Sequence, residues 1–325
     1  MRALVWTAPF EAEVQELPDV EAPSGSVVVE VIACGICGSD LHGFRGHSPG
    51  RVPPLVLGHE LVGRVGQQMY VVNPLVGCGK CVLCLRGRPN LCGARGLLGL
   101  DRPGAFADMV VVPEENLVAL PPGVDPVLGA LTEPLATPLG ALREVDLDGA
   151  AVLIAGCGPI GLLSAHVARH LGAALFAAFD LDPRRIAAGT SVLDLATTDP
   201  SEAAEAVRDA GAASGADVSI DAVGVEATLR TLIDATRPGG EVMVIGLGAA
   251  EVSVPLIDLV RRAVRVSGVF AYSPADFKAA LDMLVEAPPP REWLFTVALE
   301  DGPGVLSSLA AGEDARVKLA FDLSL

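Results

Sequence analysis

The chain has 325 residues, more than one core comfortably serves and enough for two domains. Hydrophobic residues make up 51% of it, with 36 glycines and 25 prolines, which excludes a disordered protein and fits a turn-rich globular one. A formal net charge of −17 argues against nucleic acid as a partner, because phosphate recognition needs basic patches.

From the N-terminus, short β-branched runs such as Ser26–Ile32, Leu61–Val65 and Asp108–Val112 are separated by Gly, Pro and Asn. They predict a mostly antiparallel β domain. The apolar stretch after Met1-Arg2 is interrupted by Trp6, Pro9 and Glu11, so no signal peptide is expected and the protein reads as soluble and cytosolic. Three separated pieces of this region carry metal-binding side chains. They are Cys37 in Cys34-Gly-Ile-Cys37-Gly-Ser39-Asp40-Leu-His42, the pair His59-Glu60, and Glu133 in Thr132-Glu133-Pro134. Thiolate, imidazole and carboxylate are the donors of an open zinc site, which can polarise an alcohol. Cys34 and Cys37 can equally be read as a redox C-x-x-C or as two small buried hydrophobes.

Further on, Cys78-Gly-Lys-Cys81-Val-Leu-Cys84 is followed by Cys92. Four thiolates so spaced can surround one zinc ion at about 2.3 Å each and order a loop too short to have its own core. A disulfide framework lacks the oxidising compartment, and the ferredoxin cluster run has a different third spacing and a proline after its last cysteine. A closed site of this kind has no room for substrate.

Near residue 140 the pattern changes to apolar strands alternating with alanine-rich helical stretches: Ala151–Ala155, Ile160–Gly172, Leu175–Asp180, a helix from about Pro183, then Val218–Asp221 and Glu241–Ile245. That alternation predicts βαβ units and a parallel sheet. The apolar stretch Ala151–Phe179 contains Gly, Pro, Arg169 and two histidines, so no membrane span is expected. Gly156-Cys-Gly158-Pro159-Ile160-Gly161 follows a strand and opens a helix, the context in which G-x-G-x-x-G binds a dinucleotide pyrophosphate. Asp180 closes the next strand, where a carboxylate accepts from ribose hydroxyls and repels a 2′-phosphate. NAD is therefore expected rather than NADP, although Arg184 and Arg185 lie close enough in sequence to serve a phosphate. Asp180 could also be a helix cap, a role Asp182 suits better. Short strands return from about Pro290. The expected domains are thus 1–138 with 290–325, and 139–289.

In order and type these motifs resemble the zinc-dependent medium-chain dehydrogenase/reductase family of alcohol, polyol and threonine dehydrogenases, over nearly the whole chain. The resemblance implies a GroES-like β domain followed by a Rossmann domain, with the active site in the cleft between them. It implies that Cys37, rather than Cys34, is the catalytic zinc thiolate and that His59 stands beside it. Glu60 is implied as a ligand or an exchangeable neighbour, Glu133 as completing or flanking the set, and Asp40 as an acceptor steadying His59. Cys78, Cys81, Cys84 and Cys92 would hold the structural zinc. Ser39 would accept the substrate proton and pass it by the ribose hydroxyls toward His42, while the hydride goes to nicotinamide. Gly156, Gly158, Pro159, Ile160, Gly161, Asp180 and Arg185 would line the cofactor. A homodimer or homotetramer is implied, paired at the edge through Val264 to Phe270. One departure is the short connection between Gly66 and Val71, which weakens any carry-over of substrate preference. Phe44, Arg45 and Trp293 are candidates for the pocket or its rim. Two other readings are a zinc-free quinone or enone reductase of the same superfamily and a nucleotide-binding regulator that keeps only the structural zinc.

Overall fold

In this computed structural model, which describes residues 1–48, 50–210 and 214–325, the strand Ser26–Gly35 is the spine of the N-terminal sheet. Its Val29, Val31 and Ala33 turn inward and are buried, while Glu30 between them is exposed, the two-residue alternation of a half-covered strand. Six strands run in the order Leu117–Ala119, Gln68–Val72, Glu60–Val65, Ser26–Gly35, Lys318–Asp322, Leu294–Val297, and Met109–Pro113 pairs with Ser26–Gly35 as well. The register matters more than the order. Gly35 stands opposite Glu60 on one side and Ala320 on the other, so the chain just after Gly35 emerges where Glu60 begins one neighbouring strand and Lys318 the other. The connection after Gly66 is a two-residue hairpin turn, with Val65 paired to Gln68. Beneath the sheet, Phe106 meets Phe321 edge-on at 4.8 Å among Leu4, Trp6, Leu57 and Leu61.

The chain divides into two units, Met1–Ala136 with Tyr272–Leu325, and Thr137–Ala271. The return to the first unit thus comes at Tyr272, before the expected residue 290. The helix Pro274–Glu286 accounts for the difference: it belongs to the first unit, and its buried Phe277 lies 5.6 Å from the ring of Tyr272.

The second unit is a six-stranded parallel sheet, ordered Leu195–Thr197, Leu175–Phe179, Ala151–Ala155, Ala216–Asp221, Thr236–Val244, Arg265–Gly268. Every residue of Ala151–Ala155 is buried, as befits a central strand covered on both faces. The strand order reverses direction there, and at the carboxyl end of such a strand doubly wound folds bind their ligands. Among the described residues no helix is long and apolar enough to cross a membrane.

Candidate functional site

Two short segments converge at the end of the spine strand. Cys37 precedes the helix Gly38–Phe44, and His59 and Glu60 begin the neighbouring strand. Ligand atoms of Cys37, His59 and Glu60 lie within 4.8 Å of one another. Cys34 is a different case. It is completely buried, its Sγ faces the Gly35 carbonyl at 3.7 Å, and burial pushes its thiol well above the ordinary range, so it is not poised to be a thiolate ligand.

The ring of His59 is held at both nitrogens. Nδ1 faces the Asp40 carboxylate at 3.4 Å, and Nε2 faces Ser39 Oγ at 3.4 Å. Asp40 in turn accepts from the Cys37 N–H at 3.0 Å and the Gly58 N–H at 3.3 Å. Burial raises the Asp40 carboxyl, but the charges of His59 and Arg51 and the Cys37 N–H outweigh it and hold the group below the usual carboxylate range. Burial likewise lowers His59, and Asp40 more than reverses that, leaving the imidazole well above its ordinary value. A cation taken up at Nε2 therefore displaces a proton, the expected coupling of metal binding to ionisation.

Glu60 is 0% exposed, and sequence analysis did not identify what compensates it. The partner is Lys318, whose Nζ lies 2.6 Å from Oε1 and 2.5 Å from Oε2 and also donates to the Ile36 carbonyl at 2.9 Å. Burial lowers this lysine, but Glu60 and Cys37 hold it charged. Lys318 is one of only three lysines and stands in the apolar run Val317-Lys-Leu-Ala-Phe321, a signal that could have marked it. Glu133 lies outside the three-donor cluster. Its Oε1 accepts from the Tyr272 hydroxyl at 2.7 Å, and burial pushes its carboxyl up to about 7 against the opposing charge of His59. Tyr272, 2% exposed, is a second site residue that sequence reasoning missed.

Ser39 and His42 share the helix Gly38–Phe44 and, three residues apart, one of its faces. His42 is exposed at its rim, and burial together with Arg45, His47 and Arg51 lowers its pKa, so it is a neutral acceptor at neutral pH. The proposed rim residues behave otherwise. Phe44 is 1% exposed and packs on Phe10, Arg45 donates to the Ala310 carbonyl at 2.6 Å, and Trp293 is 2% exposed. Phe44 and Arg45 are thus engaged within their own unit, and Trp293 is buried.

Four of the other thiols meet in a loop closed by the pairing of Leu75–Val76 with Gly96–Leu97. Cys78, Cys81, Cys84 and Cys92 place their sulfurs within 4.8 Å of one another, and none is in a disulfide. Cys81 accepts from the Cys84 N–H at 3.5 Å, Cys92 from the Ala94 N–H at 3.3 Å, and N–H groups of Lys80 and Cys81 pull the Cys78 thiol down to about 6. Amides pointing at sulfur are what a tetrahedral thiolate site requires, so this donor set fits zinc. The Cys37, His59 and Glu60 set also fits: it is mixed, buried on one side, and supplies three ligands where an open zinc site needs three.

In the second unit the turn after Ala151–Ala155 is shaped for a phosphate. Gly156 has φ +94°, a Cβ on it would meet Val223 at 2.8 Å, and a Cβ on Gly161 would strike the Gly156 carbonyl. Gly158 has open space where its Cβ would be, and no side chain caps the helix Pro159–His170 that it begins. The N–H groups of Ile160 and Gly161 in that first turn suit a pyrophosphate, while Pro159 presets the turn without a donor. Asp180 accepts from the Cys157 N–H at 2.8 Å and the Asp182 N–H at 2.9 Å, which fixes its carboxylate beside the turn. Arg185 approaches it at 3.9 Å, whereas Arg184 is bound to Asp182, the actual cap of the next helix. Burial raises the Cys157 thiol to about 12, so it is inert.

Comparison with known proteins gives consistent relatives. Residues 159–286 match the model of the zinc-binding dehydrogenase domain, and residues 23–122 that of the alcohol dehydrogenase GroES-like domain. The chain is 34% identical to an L-threonine 3-dehydrogenase of Saccharopolyspora erythraea, over 83% of this chain and 84% of that one. It is 33% identical to a sorbitol dehydrogenase of Halalkalibacterium halodurans, over 88% and 89%. Among solved structures, a zinc-binding dehydrogenase from Sinorhizobium meliloti 1021 bound to NADP superimposes with a TM-score of 0.90 at 30% identity, covering 99% of this chain and 98% of that one.

Proposed function

The chain belongs to the zinc-dependent medium-chain dehydrogenase family, and on that premise we propose that it moves a hydride between a small alcohol or polyol and a nicotinamide dinucleotide. The observation that carries this reading is the mixed cluster of Cys37, His59 and Glu60, three donors that no fourth metal-ligating side chain joins among the described residues.

Cys37, His59 and Glu60 would hold the catalytic zinc. Zinc in such a site supplies Lewis acidity toward a substrate hydroxyl, and nicotinamide supplies the hydride acceptor. The chain's own groups do the rest. Asp40 fixes the His59 tautomer, so that Nε2 presents its lone pair. Lys318 pairs with Glu60 and matches its charge where both side chains are buried. Ser39 accepts the proton of the substrate hydroxyl, and His42 receives it at the exposed rim. Glu133, set by Tyr272, faces the substrate as a carboxyl titrating near neutrality and suits a second hydroxyl or an amine. The four-cysteine loop keeps its zinc as a structural element. The thiol chemistry of that loop supports a reducing compartment, the cytoplasm.

NAD is the proposed cofactor. Asp180 is anchored by two backbone N–H groups and accepts from ribose hydroxyls, and a 2′-phosphate there would meet a fixed like charge. Because one relative binds NADP, the choice is testable by the ratio of kcat/KM with the two cofactors. Asp180→Ser should narrow a preference for NAD; a wild-type preference for NADP would reverse the assignment. We also propose a homo-oligomer. The edge strand Arg265–Gly268 has a free side, and Leu256, Ile257 and Val260 nearby are 66%, 66% and 72% exposed. Apolar surface beside an unpaired edge is usually covered by a second copy.

The deciding experiment is zinc content per chain together with NAD reduction over a panel of polyols, secondary alcohols and threonine. Two zincs with turnover on one class supports the reading. One zinc and no turnover would leave a nucleotide-binding regulator.

A further inference from the structure

Beneath the open cluster lies a second buried cation that the chemistry above does not use. The Arg51 side chain is 2% exposed. Its Nε donates to the Gly99 carbonyl at 2.8 Å, and its Nη1 donates to the Ser39 carbonyl and to Ser48 Oγ at 3.3 Å. Nη2 makes no hydrogen bond among the described residues and points at Asp40 Oδ1 from 3.6 Å.

Asp40 is the common support of the cluster. It is 0% exposed and contacts the Cys37 backbone, the Gly58 backbone and the His59 ring. A carboxylate so buried needs a matching charge, and once a metal takes the place of the imidazole proton His59 no longer carries one of its own. Arg51 supplies it, as Lys318 does for Glu60. Arginine suits the place because its planar fork reaches three acceptors in fixed geometry, which the single ammonium of lysine cannot do.

The helix beside it is built around this side chain. Gly43 is buried in Gly38–Phe44, and a Cβ there would sit 2.6 Å from Arg51 Cδ and 3.2 Å from Nε. Glycine is a poor helix residue, so the chain accepts a weaker helix where the guanidinium crosses it.

We propose that Arg51 is a positioning residue of the open metal centre: laid across Gly43, it holds Asp40 against His59 and so sets how tightly that centre keeps its metal. The role rests on the zinc reading above, and it acts on metal retention and ligand geometry without touching substrate.

The test uses purified wild-type holoenzyme with Arg51→Met, Arg51→Lys and Gly43→Ala. Zinc release is followed by competition with a chromogenic chelator, and the visible spectrum of cobalt-substituted protein reports the ligand geometry. Arg51→Met should lose the open-site zinc roughly 10- to 100-fold more readily. Its cobalt spectrum should change while the four-thiolate zinc stays put, and Arg51→Lys should fall between. Gly43→Ala displaces the guanidinium without altering any charge and favours the helix, so it carries the test if Arg51→Met fails to fold. It should loosen the same zinc. Wild-type affinity and an unchanged cobalt spectrum in Gly43→Ala and Arg51→Met, even with a lowered Tm, would show a merely structural arginine and overturn the proposal. A wild-type chain that holds one zinc would instead overturn the metal-centre reading on which it rests.

Discussion

The two donor clusters of this chain are organised in opposite ways. Cys78, Cys81, Cys84 and Cys92 come from one loop, are mostly half-exposed, and are oriented by amides of their immediate neighbours. Cys37, His59 and Glu60 come from the segment after one strand and the start of its neighbour, and the charge that matches Glu60 arrives from 258 residues away, on Lys318. A set of like thiolates is drawn together by the metal and by amides of its own loop, so it can be local. A mixed, buried set must have each charge matched inside the protein, so it depends on the whole first unit being folded.

The comparison can be broken at several points. The largest effect is expected for His59→Ala, which should remove the open-site zinc and lower turnover on the order of 10³-fold or more, as loss of a catalytic metal does. Metal analysis should then find the four-thiolate zinc retained. Lys318→Met leaves Glu60 buried and unpaired, and should destabilise the fold by about 3–5 kcal/mol in urea titration. A near-neutral result would mean that Glu60 is compensated by something other than Lys318. Cys92→Ser should free the structural zinc and make the segment 75–97 susceptible to proteolysis. It should leave binding of NAD, measured by fluorescence quenching, within about twofold, since the dinucleotide turn belongs to the other unit. If that variant also lost the open-site zinc, the supposed independence of the two clusters would be wrong.

The smallest and most specific expectation concerns pH. Glu133 titrates at about 7, so it carries its proton below neutrality and is an anion above it. Tyr272 donates to it and thereby favours the anion. Tyr272→Phe should therefore raise the pKa and move the corresponding limb of the pH–rate profile to higher pH, while Glu133→Gln should abolish that limb. A profile that Tyr272→Phe leaves in place would remove the pair from the substrate's reach.

Much was legible in the linear order of residues, and for a reason. The cysteine loop and the glycine turn are local devices whose spacing is itself their geometry, so Cys78 to Cys92 and Gly156 to Gly161 could be read directly, as could the strand Ala151–Ala155 from its unbroken apolar run. The donor types Cys37, His59 and Glu60 were also visible. What held them was not. The pairing of Gly35 with both Glu60 and Ala320 is a matter of sheet register, and only that register brings Lys318 to Glu60. The same is true of Glu133, which only the fold brings to the hydroxyl of Tyr272, 139 residues away. Sequence determines which groups can bind a metal or a phosphate, because that is a property of side chains. Which buried charges are matched, and by whom, is decided by tertiary structure, because compensation acts through space over a few ångströms and carries no trace of separation along the chain.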